Sequence, residues 1–327
     1  MIIYLRSSFR LGIISVLMAV AVLTLSGCGS SPPKQKAPAA DQTLERFNSA
    51  ARQAFDQGRF EQAANFYRKA LERAYVRDDA DAILDARYNL AVCLLNLQSY
   101  DEALDGVRRA KTEMAIADHG KSVDFLLLEA IILYRGGDLN AAWQVTDQIL
   151  SNPSRASSVV WSRTHFLRGM MASERGDIAQ LRASVTALGQ PEQSRLHADR
   201  LELAGRLALA EQNWDAAVEA LDSAASLRRE ALDYRGMVRA LVLAGEGSEK
   251  AGRNREAAIL YLRAGRSAFF NDQMADAQKW LNHSVQLAST AGEDKIIEEA
   301  RSHLRQIQAL TTPPSGGGSV EKTTASE

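Results

Sequence analysis

The sequence predicts an all-α chain, an α-solenoid of about seven antiparallel helix pairs, and three observations predict it. The first is recurrence. The stretch Gly58–Ala70 returns around Tyr100–Ala103, Gly137–Ala142, Gly176–Ile178, Asn213–Ala217 and Gly252–Ala257. Each copy is a turn, a bulky residue, a polar pair and then a small Ala at a fixed offset, and self-similarity at a fixed period is the mark of a repeat array. The second is proline placement. Between Asp41 and about Leu310 only Pro153 and Pro191 occur, both just after the second helix of a unit, where a break is wanted. The third is composition. A chain that is 46% hydrophobic but only 6% aromatic, with 24% charge and no alternating runs, suits exposed helices rather than sheets. A body of roughly 270 residues also strains a single core, whereas stacked units need only their neighbours.

In chain order, Arg6 and Arg10 precede an apolar run, Leu11–Leu25, which is short for a bilayer span. The run ends in Leu25-Ser26-Gly27-Cys28. This resembles the lipobox of bacterial lipoproteins, in which the cysteine is lipidated and becomes the new N-terminus. The resemblance implies a signal peptide over 1–27 and a palmitate-bearing anchor at Cys28. The alternative, an uncleaved membrane anchor, fits the short run and the small residues before Cys28 less well. Loss of Arg6 and Arg10 takes the net charge from −1 to about −3, so no basic face points to nucleic acid. In studied lipoproteins Asp after the cysteine favours the inner membrane. Gly29 stands there here, so the resemblance implies the outer membrane, facing the periplasm. Residues 28–40 carry three prolines and no apolar periodicity, and read as a flexible tether.

The units of 41–310 resemble tetratricopeptide repeats, pairs of antiparallel helices with small residues at fixed places. The first unit offers Ala51, Gly58, Phe60, Ala63, Tyr67 and Ala70; the second Ala91, Tyr100, Ala103, Val107 and Ala110; the third Ala130, Gly137, Leu139 and Ala142. The fourth has Gly169, Gly176 and Ile178, with Leu181 where Ala is expected. Gly205, Trp214, Ala217, Leu221 and Ala224 mark the fifth, and Gly245, Gly252, Ala257, Tyr261 and Ala264 the sixth, with Asn254 in the bulky place. Beyond it the motif shifts phase: Tyr261–Ala268 also reads as a first helix, followed by Met274, Ala277 and Leu281. Gln273–Thr290 and Glu293–Leu310 form the seventh pair, its last helix striped by Ile296, Ala300, Leu304 and Ile307 as a cap. The tail, 311–327, lacks apolar residues to bury and reads as disordered.

In tetratricopeptide proteins the first helix of each pair lines a concave surface on which peptides lie. The resemblance places Asn48, Arg52 and Phe55 there from the first unit, and Tyr88, Asn89, Val92, Leu95 and Asn96 from the second. It adds Leu127, Ile131 and Tyr134 from the third, Phe166 and Met170 from the fourth, Glu202 and Arg206 from the fifth, and Arg239, Glu246 and Glu249 from the sixth. The middle of this strip is apolar and aromatic, the later part charged and mixed in sign, which suits an amphipathic helix or an extended peptide. Packing among the helices themselves explains the same residues, and the two readings stand together here. Some family members clamp a carboxylate with Lys, Asn and Arg. Asn89 and Arg52 echo that clamp, but Asp124 and Leu128 stand where its cations belong, so a clamp is excluded.

Catalytic signatures are missing from the sequence. His119, His165, His197, His283 and His303 share no metal-ligand spacing, and no G-x-S-x-G or G-x-x-x-x-G-K-[ST] motif occurs. With Cys28 lipidated, Cys93 is left in an apolar run as a core thiol. The expectation is a non-enzymatic, lipid-anchored scaffold with no cofactor and no small-molecule substrate. It holds a protein partner by a peptide or helix in envelope or outer-membrane complex assembly. A type IV pilus or secretin assembly lipoprotein, and a spacer with no ligand, are the alternatives.

Overall fold

The structure, a computed structural model, describes residues 41–117, 122–191 and 193–311. The lipobox, the tether and the tail from 312 lie outside them. The chain divides into two units, 1–45 and 46–327, and only residues 41–45 of the first are described. Fourteen α-helices run through the described residues, and no strand occurs among them. They are α1 (Gln42–Asp56), α2 (Phe60–Val76), α3 (Ala80–Asn96), α4 (Tyr100–Ala117), α5 (Ser122–Arg135), α6 (Leu139–Leu150) and α7 (Ser158–Arg175). The rest are α8 (Ile178–Leu188), α9 (Ser194–Ala210), α10 (Trp214–Glu230), α11 (Tyr234–Lys250), α12 (Asn254–Phe270), α13 (Met274–Ala291) and α14 (Asp294–Thr311). Each helix from α2 onward packs on the next. None is long and apolar enough to cross a membrane.

The turns follow from one backbone device. Besides Gly189, ten of the connections place a residue at positive φ, either glycine (58, 137, 176, 252, 292) or Asp78, Gln98, Gln212, Leu232 and Asp272. The next residue's N–H then donates back into the finished helix, as from Arg59 to the Ala54 carbonyl (2.9 Å) and from Asp233 to that of Arg228 (2.8 Å). This satisfies carbonyls that a helix end leaves open. The same connecting residue often starts the next helix: Asp79, Asp138, Asp177, Asn213 and Asp233 each accept an N–H of the new first turn. The bulky residue of each motif, Phe60, Tyr100, Leu139, Ile178 or Trp214, is the first helical residue. Two longer connections hold Pro153, in a short 3-10 turn, and Pro191, both between pairs.

Packing follows the small residues. Ala51, Ala63, Ala70, Ala103, Ala110, Ala130, Ala142, Ala217, Ala224, Ala257 and Ala264 are all fully closed to solvent. A methyl on Gly205 falls 2.4 Å from Leu221, one on Gly245 3.1 Å from Tyr261, and one on Gly265 2.7 Å from Leu281. Each pair of numbers differs by 16, so one geometry repeats, and Ala51 with Tyr67 and Ala91 with Val107 keep the same step. Gly265 belongs to α12, and α12 also supplies Tyr261 to Gly245. This helix therefore serves as second helix to α11 and as first helix to α13, which is the phase shift read in the sequence. Leu181 in the fourth pair is buried like the alanines it replaces. Cys93 is buried in the first cluster, and burial pushes its thiol up to about 12.

Leu232 holds φ +59° while 70% of its surface is exposed. A branched side chain in the left-handed region costs about 1–2 kcal/mol, part of which glycine returns through its greater freedom when unfolded. Leu232→Gly is therefore expected to raise stability by about 0.5–1 kcal/mol. Denaturant melts that showed a loss would mean that Leu232 packs on something the turn geometry does not reveal.

Candidate functional site

The candidate site is the wall formed by the first helices. These helices touch one another as well as their own partners: α3 meets α5, α5 meets α7, α7 meets α9 and α9 meets α11. Side chains on that wall come in three conditions.

Near the beginning it is apolar and half-buried. Phe55 lies edge-on to Phe60 (5.3 Å between centroids), beside Asn48 and the exposed Arg52. Tyr88 stands edge-on to the buried Phe125 at 5.5 Å. Val92 and Ile131 are half-buried, and Ile131 packs between three clusters. Asn89 and Asn96 donate to the carbonyls of Asp85 and Val92, one turn back in their own helix. Half-buried Tyr134 donates its hydroxyl to Glu174, and burial, with that bond, raises its pKa. Phe166 is half-buried beneath the guanidinium of Arg228 at 5.7 Å.

A second group is closed off. Leu95, Leu127 and Met170 are nearly buried and belong to the core clusters between helices. The structure corrects their assignment to an open groove wall. A first helix offers its face to two neighbours at once, and these side chains fall on the packed part of it.

Glu202 is the third case and differs most from the sequence expectation. It has no exposed surface, so it cannot greet a ligand. Its oxygens accept from Arg228 (2.6 Å), from Arg239 through two nitrogens (2.6 and 2.9 Å), and more loosely from Arg206 (3.2 and 3.4 Å). Arg228 in turn donates to Asp199 (2.8 Å) and to Asp233 (2.6 Å), whose other oxygen caps α11 at Gly236. A methyl on Gly236 falls 2.2 Å from the Asp233 carboxylate and 2.7 Å from Arg228, so glycine is required where these side chains cross. Burial alone pushes the Glu202 carboxyl up, but Arg239, Arg228 and Arg206 outweigh it and hold it at about 2. Asp199, buried with only a share of Arg228, goes the other way, to about 6.

The sequence reading had Glu202, Arg206 and Arg239 as separate wall positions and did not see Arg228, Asp199 or Asp233. The i, i+4 spacing of Glu202 and Arg206 and the lone Gly236 were the available signals. Beyond the network the wall turns acidic: Glu249 pairs with His283 at 2.8 Å, and Glu246 is exposed on the same helix. Among the described residues no group of three His, Cys, Asp or Glu could hold a metal ion.

Comparison with known proteins supports the fold. No family model matches the chain, and no curated protein matches it. Solved structures do. The apo form of the quorum sensor NprR from B. thuringiensis is 15% identical, with a TM-score of 0.61 over 83% of this chain and 77% of that one. The Rap conjugation gene regulator of the plasmid pLS20, solved in complex with the Phr* peptide, is 13% identical, with a TM-score of 0.56 over 93% of this chain and 86% of that one. The apo form of RapI is 11% identical, with a TM-score of 0.54 over 83% and 76%. The class is thereby defined: the chain has a tetratricopeptide-like fold, an α-solenoid of about seven helix pairs.

Removing one member of a buried ion network costs about 3–5 kcal/mol, and Glu202→Gln should destabilise by that order in urea melts. The Glu202 carboxyl titrates lower in the folded chain than its ordinary 4.5. Its contribution is therefore complete above about pH 4.5 and is lost as the pH falls toward 2. The stability difference between wild type and Glu202→Gln should shrink over that window; a difference that stayed constant would count against the network.

Proposed function

We propose that the chain is a lipid-anchored scaffold of the bacterial cell envelope, held through Cys28 at the outer membrane and facing the periplasm. It binds a peptide or helix of a partner protein along the wall of first helices, and serves the assembly of an envelope or outer-membrane complex. The reading includes no catalytic step, cofactor or small-molecule substrate. The observation that carries the binding role is the continuous contact of α3, α5, α7, α9 and α11. It sets Tyr88, Ile131, Tyr134 and Phe166 along one wall while leaving each half-buried. Apolar side chains kept partly open in a row are what a helix-in-groove or extended-peptide site needs. The pLS20 regulator, solved with a peptide, gives the same fold a precedent for such a ligand. The anchor rests on Leu25-Ser26-Gly27-Cys28 and the short apolar run before it.

The test of the binding role is crosslinked capture from the native envelope with wild type and with Ile131→Glu or Phe166→Glu, thermal unfolding being measured in parallel. Partner recovery should fall at least about tenfold in variants that melt as the wild type does, the size expected when a charge enters an apolar contact. Undiminished recovery from folded variants would favour a spacer. The anchor has its own test. Cys28→Ser should abolish labelling by a palmitate analogue and release the protein from the membrane fraction. Retention of that variant at the outer membrane would sink the anchor without touching the groove.

A further inference from the structure

Within the network around Glu202 three carboxylates, Glu202, Asp199 and Asp233, face three arginines, Arg206, Arg228 and Arg239, and further arginines stand beside it. Glu202 accepts from three arginines, Asp199 and Asp233 are both bound to Arg228, and Glu174 is taken by the Tyr134 hydroxyl. That commits the four carboxylates of this stretch of wall. Arg206 is left with its two long contacts to an oxygen that Arg239 already holds at 2.6 Å. Arg235 lies one helical turn before Arg239 on α11 and is exposed, and Arg135, at the end of α5 beside Tyr134, is exposed as well. No hydrogen bond or ion pair joins Arg135 or Arg235 to a carboxylate among the described residues. Tyr134, the neighbour of Arg135, packs with Phe166 against the cluster that holds Leu203, next to Glu202, so the end of α5 reaches the α9 part of the wall. Partial desolvation by its neighbours, with the charges of Arg235 and Arg239 and against those of Tyr100 and Tyr134, lowers the Arg135 pKa. Like charges held together without a counter-ion are costly, and a ligand that supplies the missing carboxylates relieves that cost.

We propose that Arg135, Arg206, Arg235 and Arg239 form an anion-reading stretch of the wall. It selects an acidic peptide segment, one whose side-chain carboxylates reach these guanidinium groups while its apolar residues rest on Tyr134 and Phe166. This deepens the peptide-binding reading and rests on it. The arginines come from α5, α9 and α11, and neighbouring helices are spaced about 8–10 Å apart, so one carboxylate cannot reach them all. A run of acidic side chains fits that spread, and a single chain terminus does not. Arginine suits the task because its fork holds a carboxylate through two parallel hydrogen bonds. The acidic part of the wall at Glu246 and Glu249, the latter already bonded to His283, marks where such a segment ends.

The test is fluorescence polarisation with the full chain in detergent and three short labelled peptides. They alternate leucine and phenylalanine with glutamate, glutamine or lysine. The glutamate peptide should bind about tenfold more tightly than the other two, and its advantage should shrink as salt is raised. Arg135→Gln combined with Arg235→Gln, both exposed and outside the Glu202 network, should bring its affinity down to that of the glutamine peptide. Arg235→Lys, which keeps a charge but loses the fork, should recover part of it. Amidating the glutamate peptide's C-terminus should change little; a loss as large as that of the glutamine peptide would overturn the assignment to side chains. Equal binding of the glutamate and glutamine peptides overturns the arginine assignment and leaves a charge-blind groove. Failure of all three to bind overturns the groove as well.

Discussion

The fold depends on how closely two helices can approach. Where Gly205, Gly245 and Gly265 face Leu221, Tyr261 and Leu281, the glycine Cβ position is already occupied by the neighbouring side chain. The alanines at equivalent places are closed to solvent altogether. A larger residue there must push its helix away, and because every helix leans on the next, the shift is passed along the row. The small residue is thus a spacer gauge, and the bulky residue 16 positions later is the part it measures. Stability in such an array is a sum of local contacts, so no single large core has to form.

That constraint explains why the polar network sits where it does. Across the first three pairs the space between helices is filled by Phe55, Tyr67, Phe125 and leucines, and the wall needs no charge. Between α9, α10 and α11 the room at Gly205 and Gly247 is filled by Leu221, Val218 and Leu209, whereas that at Gly236 is taken by Arg228 and the Asp233 carboxylate. Putting Glu202 at zero exposure is costly unless several donors satisfy it, and three guanidinium groups do so. The arginines that hold Glu202 are thereby matched by Glu202, Asp199 and Asp233, and the exposed Arg135 and Arg235 stand beside this junction rather than in it.

The legibility of the chain divides along the same line. Turns and close approaches are local, so Gly58, Gly137, Gly176 and Gly252, the alanines and the two prolines announced the helix pairs directly. The double role of α12 was visible because Tyr261 and Gly265 each keep their own step. Leu95, Leu127 and Met170 fall on the wall by periodicity, which names a face but not the angle at which the neighbouring pair covers it. Arg228 was missed for a different reason. It lies on a second helix, and its partners are five, 26 and 29 residues away, with no spacing rule to link them.

These distances also bear on how a ligand could be recognised. A wall drawn from one helix reads a peptide through neighbouring side chains of one segment. Here Arg206 of α9 and Arg239 of α11 share the Glu202 carboxylate, and Tyr134 of α5 packs against the cluster around Leu203, so the charge that a ligand meets is assembled by the array rather than by any unit. Loss of register between α7 and α9, for instance at Gly169 where a methyl falls 2.4 Å from Leu203, changes that charge without altering a single contacting residue. Affinity and the stacking of the helices are for this reason the same physical quantity seen from two sides, and ligand binding should stiffen the α5–α11 stretch as it supplies the absent carboxylates.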